Sequence, residues 1–122
     1  VKAGLSAVVS LVVGEDDTAI AMHSGTVPVL ATPRVVALVE EAAVCAIADA
    51  LEPGQTTVGM QVLLDHVQPS AIGRTVDAEA TVKECNGRRI VFTVSVKDER
   101  GLVAAGKVTR VAVDIDRFLD KA

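Results

Sequence analysis

The sequence predicts an α+β domain in which a curved antiparallel sheet of about five strands wraps one long central helix. Three observations carry this. From Pro33 to Leu51 apolar residues recur at helical spacing around most of the circumference, and a helix with so little polar surface belongs inside a protein. Val-rich extended segments lie on both sides of it, one before and three or four after, joined by turn signals that make antiparallel neighbours. Half of the residues are hydrophobic and only 2% aromatic. The core is therefore Val, Ala, Leu and Ile, and a sheet of this size covers such a helix only by curling around it.

The elements follow in order. Leu5 to Val13 is a first strand closed by the turn cluster Gly14-Glu15-Asp16-Asp17; it is too short and too strand-like for a secretory signal. Residues 18–31 hold Ser24, Gly25 and Pro28 without a sustained period and read as an ordered loop or short edge segment. Thr32 can cap the helix with Pro33 at its first position, and Glu52-Pro53-Gly54 stops it. Extended segments follow at Thr56–His66, Thr75–Glu84, Ile90–Lys97 and Val103–Val113. Asn86-Gly87 is a hairpin signal because both residues accept positive φ, and Asp98-Glu99-Arg100-Gly101 makes another turn. With no repeat and no linker, residues 1–122 read as a single domain.

Composition excludes several classes. The net charge is −4, from 16 acidic and 12 basic residues in no long run, so nucleic acid is not an expected partner. Cys45 and Cys85 form no CxxC and have no His-rich neighbourhood, which predicts a reduced cytoplasmic protein without zinc. Glu40, Glu41 and Asp49 interrupt the longest apolar run, so no membrane span is predicted. No cofactor is expected.

The layout, with Ala31-Thr32-Pro33 before the helix, Glu40-Glu41 within it, LEPGQTTVG (residues 51–59) at its end and Asp65-His66 on the next strand, resembles the hotdog-fold thioesterases, and among them the fluoroacetyl-CoA thioesterase-like group. The resemblance covers residues 30–118, including TRVAVDIDRF (residues 109–118), and leaves residues 14–29 poorly matched. It implies a catalytic set of Thr32, Glu40 and His66. It also implies that Gly59 lines the acyl pocket, that Arg110 lies near the coenzyme A end, and that the protein is a homodimer or higher homo-oligomer with sites at the subunit interface. Pro33 replaces the family's glycine after the threonine, and the stretch after His66 departs from the family wording.

Each residue also has a plainer reading. Thr32 is an obvious helix cap, worth about 1 kcal/mol. Helical arithmetic puts Glu40 on a stripe with Val36, Ala43, Val44, Ile47 and Leu51, where burial would raise a carboxyl pKa toward that of a general base; alternatively Glu40 borders the core and pairs with a charge across an interface. Glu41 shares a face with Arg34, Ala37, Cys45 and Ala48 and is expected to be solvated or paired with Arg34. His66 alternates with Val58, Met60, Val62 and Leu64 and could be a satisfied core histidine. Cys45 reads as core packing, His23 has no role, and Arg88 and Arg89 read as solvated hairpin charges that a dimer could bring to coenzyme A phosphates.

One conflict stands out. On a straight helix, Thr32 and Glu40 are separated by roughly 12 Å, so either the helix starts later or the two act from different subunits. The expected function is hydrolysis of a small acyl-CoA thioester, with Glu40 as base or nucleophile, Thr32 orienting or attacking, and His66 moving the proton. A hotdog dehydratase or hydratase and a non-catalytic acyl-CoA-binding module are the alternatives; release of free thiol separates the first of these from a thioesterase.

Overall fold

The computed structural model describes residues 1–122. Strand β1 (Ser6–Val12) leads through residues 13–31 to helix α1 (Thr32–Ile47). Then come β2 (Gln55–His66), β3 (Thr75–Asn86), β4 (Arg89–Asp98), β5 (Gly101–Asp114) and a short closing helix, α2 (Ile115–Leu119). The strands form one antiparallel sheet in the order β1-β3-β4-β5-β2. Helix α1 touches all five strands, which is the hotdog arrangement expected from the sequence.

Strand alternation sets the face that meets α1. Ala78, Ala80 and Val82 pair with Val96, Val94 and Phe92, and Phe92 pairs in turn with Val108; all are buried. From the helix, Val35, Leu38, Val39, Ala42, Ala43 and Ile47 fill the space above them. Alanines on both surfaces let the helix sit low, and each fully buried Val or Leu contributes about 1.5–3 kcal/mol. Gly106 lets β5 lie close against β2. A Cβ there would run into the Leu63 carbonyl and stand 2.9 Å from Leu64 Cα.

Several expectations need correction. Helix α1 starts at Thr32, with Ala31 in extended conformation as its N-cap and no side-chain cap. The Thr32 hydroxyl therefore does not cap, and Pro33 is the second helical residue. The α-helix ends at Ile47 and continues as one 3-10 turn over Ala48–Ala50. Nor is the helix buried all round: Ala37, Glu41, Val44 and Cys45 face solvent. Cys45 is exposed rather than in the core, because one sheet covers only one side of the helix. In the first hairpin Asn86 pairs with Arg89, so the loop is Gly87-Arg88, and only Gly87 has positive φ, at 61°.

Helix α2 was not anticipated. Asp114 caps it by accepting the Arg117 N–H at 3.1 Å, and the Ile115 N–H reaches the Gly54 carbonyl at 3.0 Å. Residues 18–31 form a loop folded onto the start of α1. It is fastened by the bridges Thr18↔Leu30 and Val29↔Ala71 and by the Ala31 N–H on the Asp17 carbonyl at 2.8 Å. Asp17 also pairs with Arg34 at 2.9 Å, which leaves Glu41 solvated. No helix is long and apolar enough to cross a membrane.

Candidate functional site

Two clusters of polar side chains are built on α1 and β2. At the first, the opening residue of α1 meets the last residue of β2, and Thr32 Oγ1 lies 2.8 Å from His66 Nδ1. The hydroxyl is free for this contact because the helix is capped without it. His66 takes the sheet face that carries Val62 and Leu64, and beyond it the chain turns, with the Val67 and Gln68 N–H groups both on the Val103 carbonyl. Burial holds the imidazole below its ordinary pKa, while the Gln68 backbone pulls more weakly the other way. A ring that is neutral near pH 7 can accept the Thr32 O–H at Nδ1 and carry its own proton on Nε2. Nε2 is buried and has no partner within the chain.

This pair opens into a cavity of about 350 Å³ whose other walls come from the 18–31 loop and residues 67–69. Ala19, Val27, Val29, Leu30 and Val67 make the apolar lining, and no aromatic ring reaches it. The volume and lining suit a small aliphatic group.

The second cluster is centred on Arg110, buried on β5 at 7% exposure. Its Nη1 donates to Glu40 Oε2 at 2.7 Å, its Nε to Thr57 Oγ1 at 2.9 Å, and its Nη2 to the Thr57 carbonyl at 2.9 Å. Glu40 is thus not an unpaired buried carboxylate. It borders the core, with its side chain 32% exposed, and takes the alternative reading of a charge-paired residue. The partner, Arg110, belongs to the same chain rather than lying across an interface as that reading had it. Gly59 makes room for it: a Cβ there would stand 2.6 Å from Glu40 Oε2 and 3.6 Å from Arg110 Nη1. The adjacent irregularity between Gly59 and Gln61 re-aims β2 at this point.

The structure therefore brings Thr32 to His66, and Glu40 to Gly59 and Arg110, but holds the two groups apart. Eight helical steps separate Thr32 from Glu40, roughly 12 Å, and seven strand steps separate Gly59 from His66, roughly 20 Å. Both ends belong to regular elements, so no local adjustment closes the gap. Thr57 is the residue that sequence reasoning missed. Its two-residue spacing from Gly59 places it on the same face and was the available signal.

Comparison with known proteins follows this geometry. Residues 13–116 match the family described as fluoroacetyl-CoA-specific thioesterase, FlK. The fluoroacetyl-CoA thioesterase of Streptantibioticus cattleyicolor is 32% identical over 90 residues, which cover 74% of this chain and 65% of that protein. The chain thus spans just under two thirds of that relative's length. A threonine-to-serine mutant of FlK, solved in complex with acetyl-CoA, superposes with a TM-score of 0.93 at 26% identity, covering 99% of this chain and 96% of that one. A thioesterase-superfamily member from Thermus thermophilus superposes with a TM-score of 0.89 at 25% identity, covering 98% and 91%.

Proposed function

We propose, from the premise that the chain belongs to the fluoroacetyl-CoA-specific thioesterase family, that it hydrolyses a small aliphatic acyl-CoA to the free acid and coenzyme A. The observation that carries the reading is the Thr32–His66 hydrogen bond in an aliphatic cavity, with a buried Nε2 left unpartnered. Such an atom costs stability unless something bound there satisfies it. In this reading the acyl group enters the cavity and its carbonyl oxygen lies at the Thr32–His66 pair, whose ring Thr32 orients. A neutral imidazole is a poor proton donor but an effective hydrogen-bond donor to a developing oxyanion. His66 thus polarises the carbonyl rather than moving the proton expected from the sequence.

The base is Glu40, whose Oε1 is left free by Arg110. It takes a proton from the attacking water and returns it to the departing thiolate. Because Glu40 stands too far from His66 in its own chain, we place it in the site of a second copy, joined along β2. Three features support that assembly. The outer edge of β2 is unpaired; the strand has no Lys or Pro to blunt it; and Met60 and Leu63 expose 49% and 52% of their surface there. Antiparallel pairing of two β2 edges about a two-fold axis sets the Gly59 end of one strand toward the His66 end of the other. Arg110 then acts through Glu40, as a positioning residue. The free cysteines Cys45 and Cys85 suit a reducing cytoplasm.

The test is a panel of short, branched and aromatic acyl-CoAs with detection of free thiol. Release from short aliphatic thioesters supports the reading. Addition of water to an enoyl-CoA without thiol release would replace it with a hydratase.

A further inference from the structure

Outside both clusters, Arg100 makes more bonds than its turn requires. It sits in the β4–β5 connection, where its own N–H meets Asp98 Oδ1 at 2.8 Å and its Nη2 and Nε meet Asp98 Oδ2 at 2.8 and 3.2 Å. Those contacts alone would close the turn. The same Nη2 also donates to the Pro69 carbonyl at 2.8 Å, 31 residues back along the chain. With the Gln68 amide oriented so that donors meet acceptors, its side chain accepts from Arg100 Nε at 3.2 Å and donates to the Leu102 carbonyl at 3.0 Å. One guanidinium thus spans two segments, aimed by Asp98, whose carboxyl the Arg100 bonds hold below its ordinary pKa.

What Arg100 grips is the turn after His66. Pro69 has no N–H to offer β5, so the bonds that Val67 and Gln68 make to the Val103 carbonyl cannot be continued by the next residue. Its carbonyl is the handle that remains. On one side of this turn stands His66; on the other, the Ser70 carbonyl accepts the Leu30 N–H at 2.9 Å and ties in the 18–31 loop. Val67, Gln68 and Pro69 wall the cavity shared with Thr32 and His66, and the Gln68 backbone acts on the imidazole itself. We infer that Arg100 is a positioning residue for His66: by bridging Asp98 to Gln68 and Pro69 it sets the turn that fixes the ring's place and tautomer beside Thr32. It touches no substrate. The catalytic value of this strap rests on the thioesterase reading above, and its effect on the ring rests on the geometry alone.

The chain has two histidines, so nitrogen NMR of the imidazoles reads His66 directly, with His23 as reference. Above the ring's titration, wild type should show one dominant tautomer, protonated on Nε2 with Nδ1 accepting from Thr32. R100A should move both His66 nitrogen shifts toward the tautomer average and lower kcat for acetyl-CoA by at least about tenfold, within the range lost when a catalytic group is displaced. R100K keeps the charge but not the planar fork, and D98N loosens the guanidinium; both should shift the ring in the same direction. Should R100A fail to fold, D98N decides by the same readout. R74A removes the neighbouring pair to Glu99 and should leave ring and kcat as in wild type. His66 shifts unchanged in R100A, full restoration by R100K, or an equal change in R74A would each overturn the strap, and so would a wild-type kcat in R100A. A ring that responds to R100A in a protein that releases thiol from no acyl-CoA would keep the strap and remove the thioesterase.

Discussion

Replacing Gly59 by alanine tests the second cluster without touching any of its polar groups. The new Cβ would stand 2.6 Å from Glu40 Oε2 and 3.7 Å from Glu40 Cδ, closer to the oxygen than van der Waals contact allows. Gly59 is held on β2 opposite Arg110, so the Glu40 side chain is the part that yields. Arg110 keeps its two bonds to Thr57 and loses its 2.7 Å bond to the carboxylate. A charge-assisted bond of this kind is worth about 1.5–3 kcal/mol when buried. With the Glu40 side chain 32% exposed, solvent screening brings the expected loss to about 1–2 kcal/mol. Urea denaturation should show that loss with an unchanged m-value. Activity should suffer more, because displacement of a base by about 1 Å costs on the order of 10²-fold. Wild-type kcat together with wild-type stability in G59A would refute the claim that Gly59 exists to seat Glu40.

Three further outcomes are expected. Glu40→Gln keeps size and hydrogen bonding but removes the base, so thiol release should fall by at least about 10²-fold, while Glu41→Gln, on the solvent face of α1, should be within about twofold of wild type; the reverse pattern in a steady-state assay would reassign the carboxylate. Thr32→Ala should lose activity while costing less than about 0.5 kcal/mol in stability, since the hydroxyl is not the cap, and Thr32→Ser should retain turnover; a loss of a kcal/mol or more would restore the capping role. The lowered pKa of His66 places the acid limb of kcat/KM below about pH 6.5. By the same linkage the unfolded chain takes up the proton first, so stability is full above about pH 6.5 and declines as pH falls through the folded pKa; His66→Gln should remove that component from the denaturation profile.

Much of this was legible because it follows from periodicity. Alternation in the four later strands and the apolar recurrence in α1 fixed the layers, and the turn residues Gly87 and Gly101 marked the hairpins. The errors came where an unseen partner decided. Thr32 has the chemistry of a cap, but a histidine 34 residues away claims its hydroxyl. Glu40 looked like an isolated carboxylate because Arg110, 70 residues on, meets it only once β5 pairs with β2. Cys45 reads as core from its apolar helical setting, but a helix covered on one side leaves even apolar positions such as Val44, at 44% exposure, in solvent. Helix α2 is too short for periodicity to report, and only the Asp114 cap hinted at it. The separation of Thr32 from Glu40 was the exception, because helical rise alone set it.

That separation gives the most direct test of the account, which holds that each site joins Thr32 and His66 of one copy to Glu40 of another. Purified Thr32→Ala and Glu40→Gln proteins, each inactive alone, are mixed, unfolded and refolded together, and thiol release from acetyl-CoA is measured. In a hybrid dimer one site receives both substitutions and the other neither, so random pairing should restore about one quarter of the wild-type rate per chain. If the mixture, with hybrid dimers verified by mass, stays as inactive as its components, the catalytic groups do not meet across the interface and the central claim is wrong.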